Sequence, residues 1–229
     1  MPKPLILVTN HSGSMKEFLI KAVFTLTLLV VGALSLLAQN HFPSQLWYKG
    51  SIYGADGQTY AGLVKYDLEN NFVQLQTETI STFTAYNVSH FEIHNETNDG
   101  VRTFYSIPYS QNGENETPVF FEVLTEGSDI TLLCREYIAT FYENTGTKGV
   151  IGMSPSNGPK TKTEYRLAFN YYFLKNGSIE KYSLNKKDLF TMLPGYDDEI
   201  LLFMRKNRLD HDKRGDLLRI TAYYNELQN

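Results

Sequence analysis

The sequence contains one cysteine, Cys134, and one tryptophan in 229 residues. A single thiol excludes an internal disulfide, and with it the small cross-linked scaffolds that cannot fold on their core alone. Stability has to come from packing. Also missing are a Gly-x-Ser-x-Gly elbow, a glycine-rich phosphate loop, a dinucleotide fingerprint and a helical His-Glu-x-x-His zinc motif, so no assembled catalytic or cofactor signature is present. There is no excess of positive charge. Lys and Arg number 21 against 25 Asp and Glu, which argues against nucleic acid and anionic membrane surfaces as partners. What is abundant is Tyr and Phe, at 16 and 14 residues, a bias toward strand-forming side chains in a chain of otherwise ordinary hydrophobic content.

Residues 15–38 place Lys16 and Lys21 ahead of an apolar run from Ala22 to Leu37, followed by Ala38 and polar Gln39. This is the layout of a secretory signal peptide, with an uncleaved single N-terminal membrane anchor as the alternative. Residues 1–14 are then expected to be a mis-called extension, with Met15 as the start. Cleavage after Ala38 lowers Lys and Arg from 21 to 18 and Asp and Glu from 25 to 24, a net of −6. The chain is expected to be exported, to a periplasmic or extracellular site.

The stretch from Leu46 to Ile93 reads as a β-meander. Tyr60, Gly62, Val64, Tyr66 and Leu68 alternate on one face, and Asp56-Gly57 and Asn70-Asn71 supply the residues that tolerate positive φ in tight hairpin loops. Val73 and Leu75, then Phe91 and Ile93, continue the inward face. Residues 39–142 are expected to form a β-rich domain, with Val119, Phe121 and Val123 sharing one face and Cys134 alternating with Ile130, Leu132 and Ile138 as a buried small hydrophobe. Residues 143–162, rich in Gly, Pro, Ser and Thr, are expected to be a flexible loop. Residues 163–184 form a hairpin through Asn176-Gly177 that completes the sheet. From 185 to 229 the period changes to 3.6, predicting helices over Lys186–Leu193, from Asp197 as cap, and over Asp216–Leu227. The fold class is therefore mainly β: an antiparallel meander forming a barrel or sandwich, with a C-terminal helical hairpin docked on it.

Three constellations carry chemical possibilities. His90, Glu92 and His94 share one face of a strand about 6.5 to 7 Å apart, where a metal ion finds nitrogen and carboxylate ligands if Asp67 or Glu69 completes its shell. Alternating polar residues on a solvent face account for the same triplet. Asp210-His211-Asp212 lies between two predicted helices and reads as a solvated loop. Asn87-Val88-Ser89, Asn95-Glu96-Thr97, Asn115-Glu116-Thr117 and Asn176-Gly177-Ser178 match the glycosylation pattern, but fall where Asn serves turns.

The signal ending LLAQ, the segment YKGSIYGADGQTYAGLVKYDLENNFVQLQT followed by FTAYNVSHFEI, and the C-terminal KKDLFTMLPGYDDEILLFMRKNRLDHDKRGDLLRITAYYNEL resemble secreted proteins of unknown function from Bacteroidota. The resemblance covers most of the mature chain. It implies origin and compartment, and since that group carries no assigned activity it transfers no functional residue. The expectation is a non-catalytic exported envelope protein, a binding or structural module without a cofactor, whose partner is an envelope protein, glycan or lipid. Two alternatives stand beside it: a metal-dependent hydrolase using His90, Glu92 and His94, and a small-barrel carrier holding an apolar ligand among Tyr66, Phe169 and Tyr171.

Overall fold

The computed structural model describes Lys21 and residues 42–95, 100–110, 113, 115–145 and 160–228. The chain divides into two compact units, Met1–His41 and Phe42–Asn229, and every strand named below belongs to the second. After a 3-10 turn at Pro43–Gln45 come β1 (Tyr48–Gly54), β2 (Thr59–Asp67), β3 (Phe72–Gln76), β4 (Ile80–Thr84), β5 (Val88–Asn95), β6 (Gly100–Tyr109), β7 (Thr117–Thr125), β8 (Thr131–Thr145), β9 (Lys160–Lys175) and β10 (Ser178–Lys181). Three helices follow: α1 (Lys186–Met192), α2 (Asp197–Asn207) and α3 (Arg214–Gln228).

The ten strands form one antiparallel sheet in the order β10-β9-β8-β7-β6-β5-β1-β2-β3-β4. It is mainly β with the C-terminal helices packed on it, as the pattern predicts, but the sheet does not close into a barrel. Nor is Leu46 to Ile93 a simple meander. β5 returns to pair with β1, Ile52 opposite Phe91, which leaves β4 at the margin. Gly57 at φ +82°, Asn71 at φ 57°, and Asn176 and Gly177 at φ 51° and 78° take the left-handed conformations that the hairpin turns require.

Because the period is two, one face of the sheet collects Ile52, Val64, Tyr66, Val73, Phe91, Phe104 and Phe120 as a dry core beneath the first seven strands. The same face continues as Leu132, Cys134, Tyr171 and Phe173, and there the helices cover it with Leu189, Ile200, Leu217, Ile220 and Tyr224. A smaller cluster on the reverse face joins Val119, Phe121, Leu133 and Tyr172. Strand β7 is thus buried on both sides.

β7 pairs with β8 only at Glu122–Thr125 against Leu132–Cys134. Past that point β8 leaves β7 and crosses the β2–β3 turn, where Arg135 donates to the Leu68 carbonyl and the Ile138 N–H donates to the Glu69 carboxylate at 3.2 Å. The sheet therefore bends over itself. β8 and β9 stay paired for 15 registered positions, from Thr131↔Leu174 to Thr145↔Lys160, a ribbon of roughly 50 Å. The ends of the expected 143–162 loop are consequently strand, and residues 146–159 lie outside the described residues.

α1 begins at Lys186 as predicted, whereas α2 and α3 differ from prediction in their first turns. The Asn185 side chain caps α1 by accepting from the Lys187 N–H at 2.9 Å. Asp197 is the first residue of α2 rather than its cap, which is Tyr196. Its carboxylate still joins Asp198 and Glu199 at the positive end of the helix dipole, with Arg205 and Lys206 at the other end. α3 begins at Arg214, two residues earlier than the apolar spacing from Leu217 implies. That extra half-turn carries Arg214, whose guanidinium reaches Glu122 of β7.

Candidate functional site

Both halves of the continuous inner face are apolar, and charge appears where they meet. A cross-strand row runs Ile52, Phe91, Phe104, Glu122, Cys134, Tyr171, each directly opposite the next. Glu122 stands at its centre, between two phenylalanines of one core and the cysteine and tyrosine of the other. Only 3% of its side chain is exposed.

Two arginines compensate that carboxylate, and Glu136 and Tyr66 complete the network around them. Arg102 of β6 donates from Nε to Glu122 Oε1 at 2.7 Å and from Nη2 to Oε2 at 2.8 Å, a bidentate pair. Arg214, at the start of α3, donates from Nη2 to the same Oε1 at 2.5 Å. Arg102 also donates to Glu136 Oε2 at 3.1 Å and to the Tyr66 hydroxyl at 2.9 Å, and that hydroxyl in turn donates to Glu136. Two cations thus face two anions, linking β2, β6, β7, β8 and α3. Each guanidinium also lies over a ring: Arg102 is 5.0 Å over Phe104 and Arg214 is 5.3 Å over Phe169.

Burial pushes the Glu122 pKa up, but Arg102 and then Arg214 outweigh it and hold the carboxyl below its ordinary range. Burial and the neighbouring carboxylates push the Cys134 thiol and the Tyr66 hydroxyl up. Arg214 Nη1 also approaches Cys134 Sγ at 3.3 Å without reversing that direction. At neutral pH the network therefore keeps Glu122 charged and the Cys134 thiol and Tyr66 hydroxyl protonated. It forms the floor of an open cleft of about 430 Å³, whose walls include Leu167, Phe169 and Leu218.

The sign of the Glu122 shift sets a pH dependence. A carboxyl with a depressed folded-state pKa stabilises the fold above its unfolded value, near 4.5, and this contribution disappears as pH falls through the folded value. Urea unfolding between pH 4.5 and 3 should show the wild type losing about 1.4 kcal/mol per pH unit more than Glu122→Gln. Parallel slopes would rule out this assignment.

The residues singled out in the sequence fall elsewhere. His90, Glu92 and His94 do lie on the outward face of β5, opposite Tyr105, Thr103 and Val101. His90 is stacked between Tyr53, at 4.0 Å, and Tyr105, at 5.1 Å, and Glu92 accepts from the Tyr53 hydroxyl at 3.3 Å. Among the described residues, no group of three or more His, Cys, Asp and Glu side chains is arranged to hold a metal ion. Asp67 instead accepts from Asn70 within its own turn, and Glu69 is bonded to β8. His211 meets the Tyr182 hydroxyl at 2.9 Å, and Asp210 pairs with Lys213 within the same loop. Tyr66 is packed on Phe91 and Phe104 and Tyr171 is buried, with no barrel interior between them and Phe169. Asn87 accepts from the Thr84 N–H and Asn176 sits in its turn at positive φ.

Sequence reading missed Arg102, Glu122, Glu136 and Arg214. A signal for three of them exists: each is a charge at an inward position, Arg102 two before Phe104, Glu122 between Phe120 and Leu124, Glu136 two after Cys134. No protein-family model, curated protein or solved structure matches the chain.

Proposed function

We propose that the protein is an exported, non-catalytic binding module of a bacterial envelope, akin to the secreted Bacteroidota proteins it resembles. The observation that carries the binding reading is an apolar stripe leaving the cleft along the β8–β9 ribbon. Register places Glu136, Ile138, Thr140 and Tyr142 opposite Phe169, Leu167, Tyr165 and Thr163, so all share one face. Phe169 and Leu167 line the cleft; farther out, Tyr165 is 59% and Tyr142 72% exposed. Exposed aromatic side chains of this kind are what interfaces use, since Tyr supplies large contact area with few rotamers to freeze. The fixed, mutually satisfied charges at the cleft floor support recognition over turnover. Export rests on the layout of residues 15–38; among the described residues, no helix is long and apolar enough to cross a membrane.

Pull-down from envelope extract with the wild-type protein and a Tyr142→Ser/Tyr165→Ser variant tests the reading. Both side chains are exposed, so stability should change by no more than about 1 kcal/mol. An envelope protein, glycan or lipid captured by the wild type should be lost in the variant. Equal capture by both, or none by either, counts against the stripe as the binding face.

A further inference from the structure

The face of the sheet opposite the charge network holds a second open cavity, of about 400 Å³, and its chemistry is different. Arg135 stands in it. Register puts Arg135 of β8 directly opposite Asn170 of β9, and Lys181 of β10 directly opposite Tyr172 of β9. Asn170 and Tyr172 are two residues apart on one strand, so all four side chains leave the same face. Tyr109, from the end of β6, completes the wall, its ring edge-on to both Phe121 and Tyr172 at 5.5 Å.

Arg135 is held in place but its charge is not neutralised. Nη1 donates to the Phe120 carbonyl at 3.1 Å, Nη2 donates to the Leu68 carbonyl, and the guanidinium lies 5.5 Å from the centre of the Phe121 ring. Among the described residues, no carboxylate comes within 4.0 Å of it, nor of the Lys181 amine. Two acidic residues line the cavity: Glu136 is paired with Arg102 and accepts from Tyr66, while Glu69 is exposed, accepts from the Ile138 N–H and lies beyond 4.0 Å of both cations. A guanidinium has five N–H donors in a fixed fork, and the two carbonyls account for two of them. A partly desolvated cation left without a counter-charge is costly unless a ligand supplies one. Burial accordingly draws the Arg135 pKa down, in contrast to Arg102 and Arg214, which their carboxylates hold up.

We propose that this cavity is a binding site for an oxyanion, a carboxylate or phosphate group carried by a small ligand, with Arg135 as the anchor and Lys181 as the second cation. The Asn170 amide and the Tyr109 and Tyr172 hydroxyls stand on the same wall, suited to the remaining anion oxygens or to sugar hydroxyls. The Tyr172 hydroxyl, pushed up to about 12 mainly by burial, stays protonated and able to donate. The site is built on side chains of the reverse face from the aromatic stripe and shares only Glu136 with it.

Isothermal titration at low ionic strength, using inorganic phosphate and glucuronate as separate probes, tests the site on the wild-type protein. At least one should bind, and their relative affinities tell which oxyanion the cavity prefers. Arg135→Met should weaken that binding about tenfold or more, and Lys181→Met, a change at an exposed position, should weaken it severalfold while leaving the thermal midpoint in place. Because Arg135 also bridges two carbonyls, its variant needs a folding control. Lys181→Met gives the answer without one. Binding unchanged in Lys181→Met, or in an Arg135→Met variant that passes the folding control, or no heat with either probe, overturns the proposal.

Discussion

Replacing Arg102 with methionine should cost the fold about 3 to 5 kcal/mol, because it strands Glu122 and Glu136, whose side chains are only 3% and 5% exposed, with a single partner residue each. Methionine keeps most of the apolar stem and removes the guanidinium with its ion pairs, its bond to Tyr66 and its place over Phe104, so the loss reports the cation more than side-chain volume. A domain of this size then melts roughly 10 °C lower or more. Two features distinguish this from a generic packing defect. The deficit should shrink as pH falls below about 4.5, since protonation removes the stranded charge. Adding Glu122→Gln to Arg102→Met should also recover part of the loss, by about 0.5 to 3 kcal/mol of coupling. An additive double variant, or a deficit independent of pH, would refute the network.

The second large effect is expected at Gly50. It lies in β1 between Gly62 of β2 and Ile93 of β5, in the interior of the sheet. A Cβ placed there would overlap the Glu92 carbonyl oxygen and approach Val64 Cγ2 at 3.1 Å. Neither neighbour can give way, because the carbonyl is sheet backbone and Val64 is core. Gly50→Ala should therefore destabilise by about 3 kcal/mol, at the upper end for overpacking. Gly57→Ala is the control: its turn has φ +82° and open space around it, so only the conformational cost of about 1 to 2 kcal/mol applies. Chemical denaturation of the two variants compares them directly. Similar losses would mean that β1 and β5 can separate to admit a methyl group.

The cleft floor and the anion cavity were legible only in fragments. Cys134 was correctly read as buried, yet the alternation that placed it inside with Ile130, Leu132 and Ile138 skips Glu136, the charged residue of the same face. Arg135 looks like an ordinary solvent-facing charge in that pattern. It becomes notable only because β8 abandons β7 and carries the guanidinium to the Leu68 and Phe120 carbonyls. Arg214 sits just before the apolar spacing that marks α3, so helical periodicity gives no reason to include it.

What the sequence determined by itself was local. Alternation of period two, turn pairs such as Asp56-Gly57 and Asn176-Gly177, and the switch to a period of 3.6 after Leu184 specify strands, hairpins and helices, because each depends on residues a few positions apart. The inner face of Val64, Tyr66, Phe91 and Ile93 follows from the same rule. Only the tertiary structure decided that β5 pairs with β1, that the sheet bends without closing, and that Tyr66, Arg102, Glu122, Glu136 and Arg214 meet. These five come from as many elements and as far apart as 148 positions in sequence. Their meeting depends on strand order and register, which set the partner of each charge, and the low dielectric between two cores makes that partner obligatory.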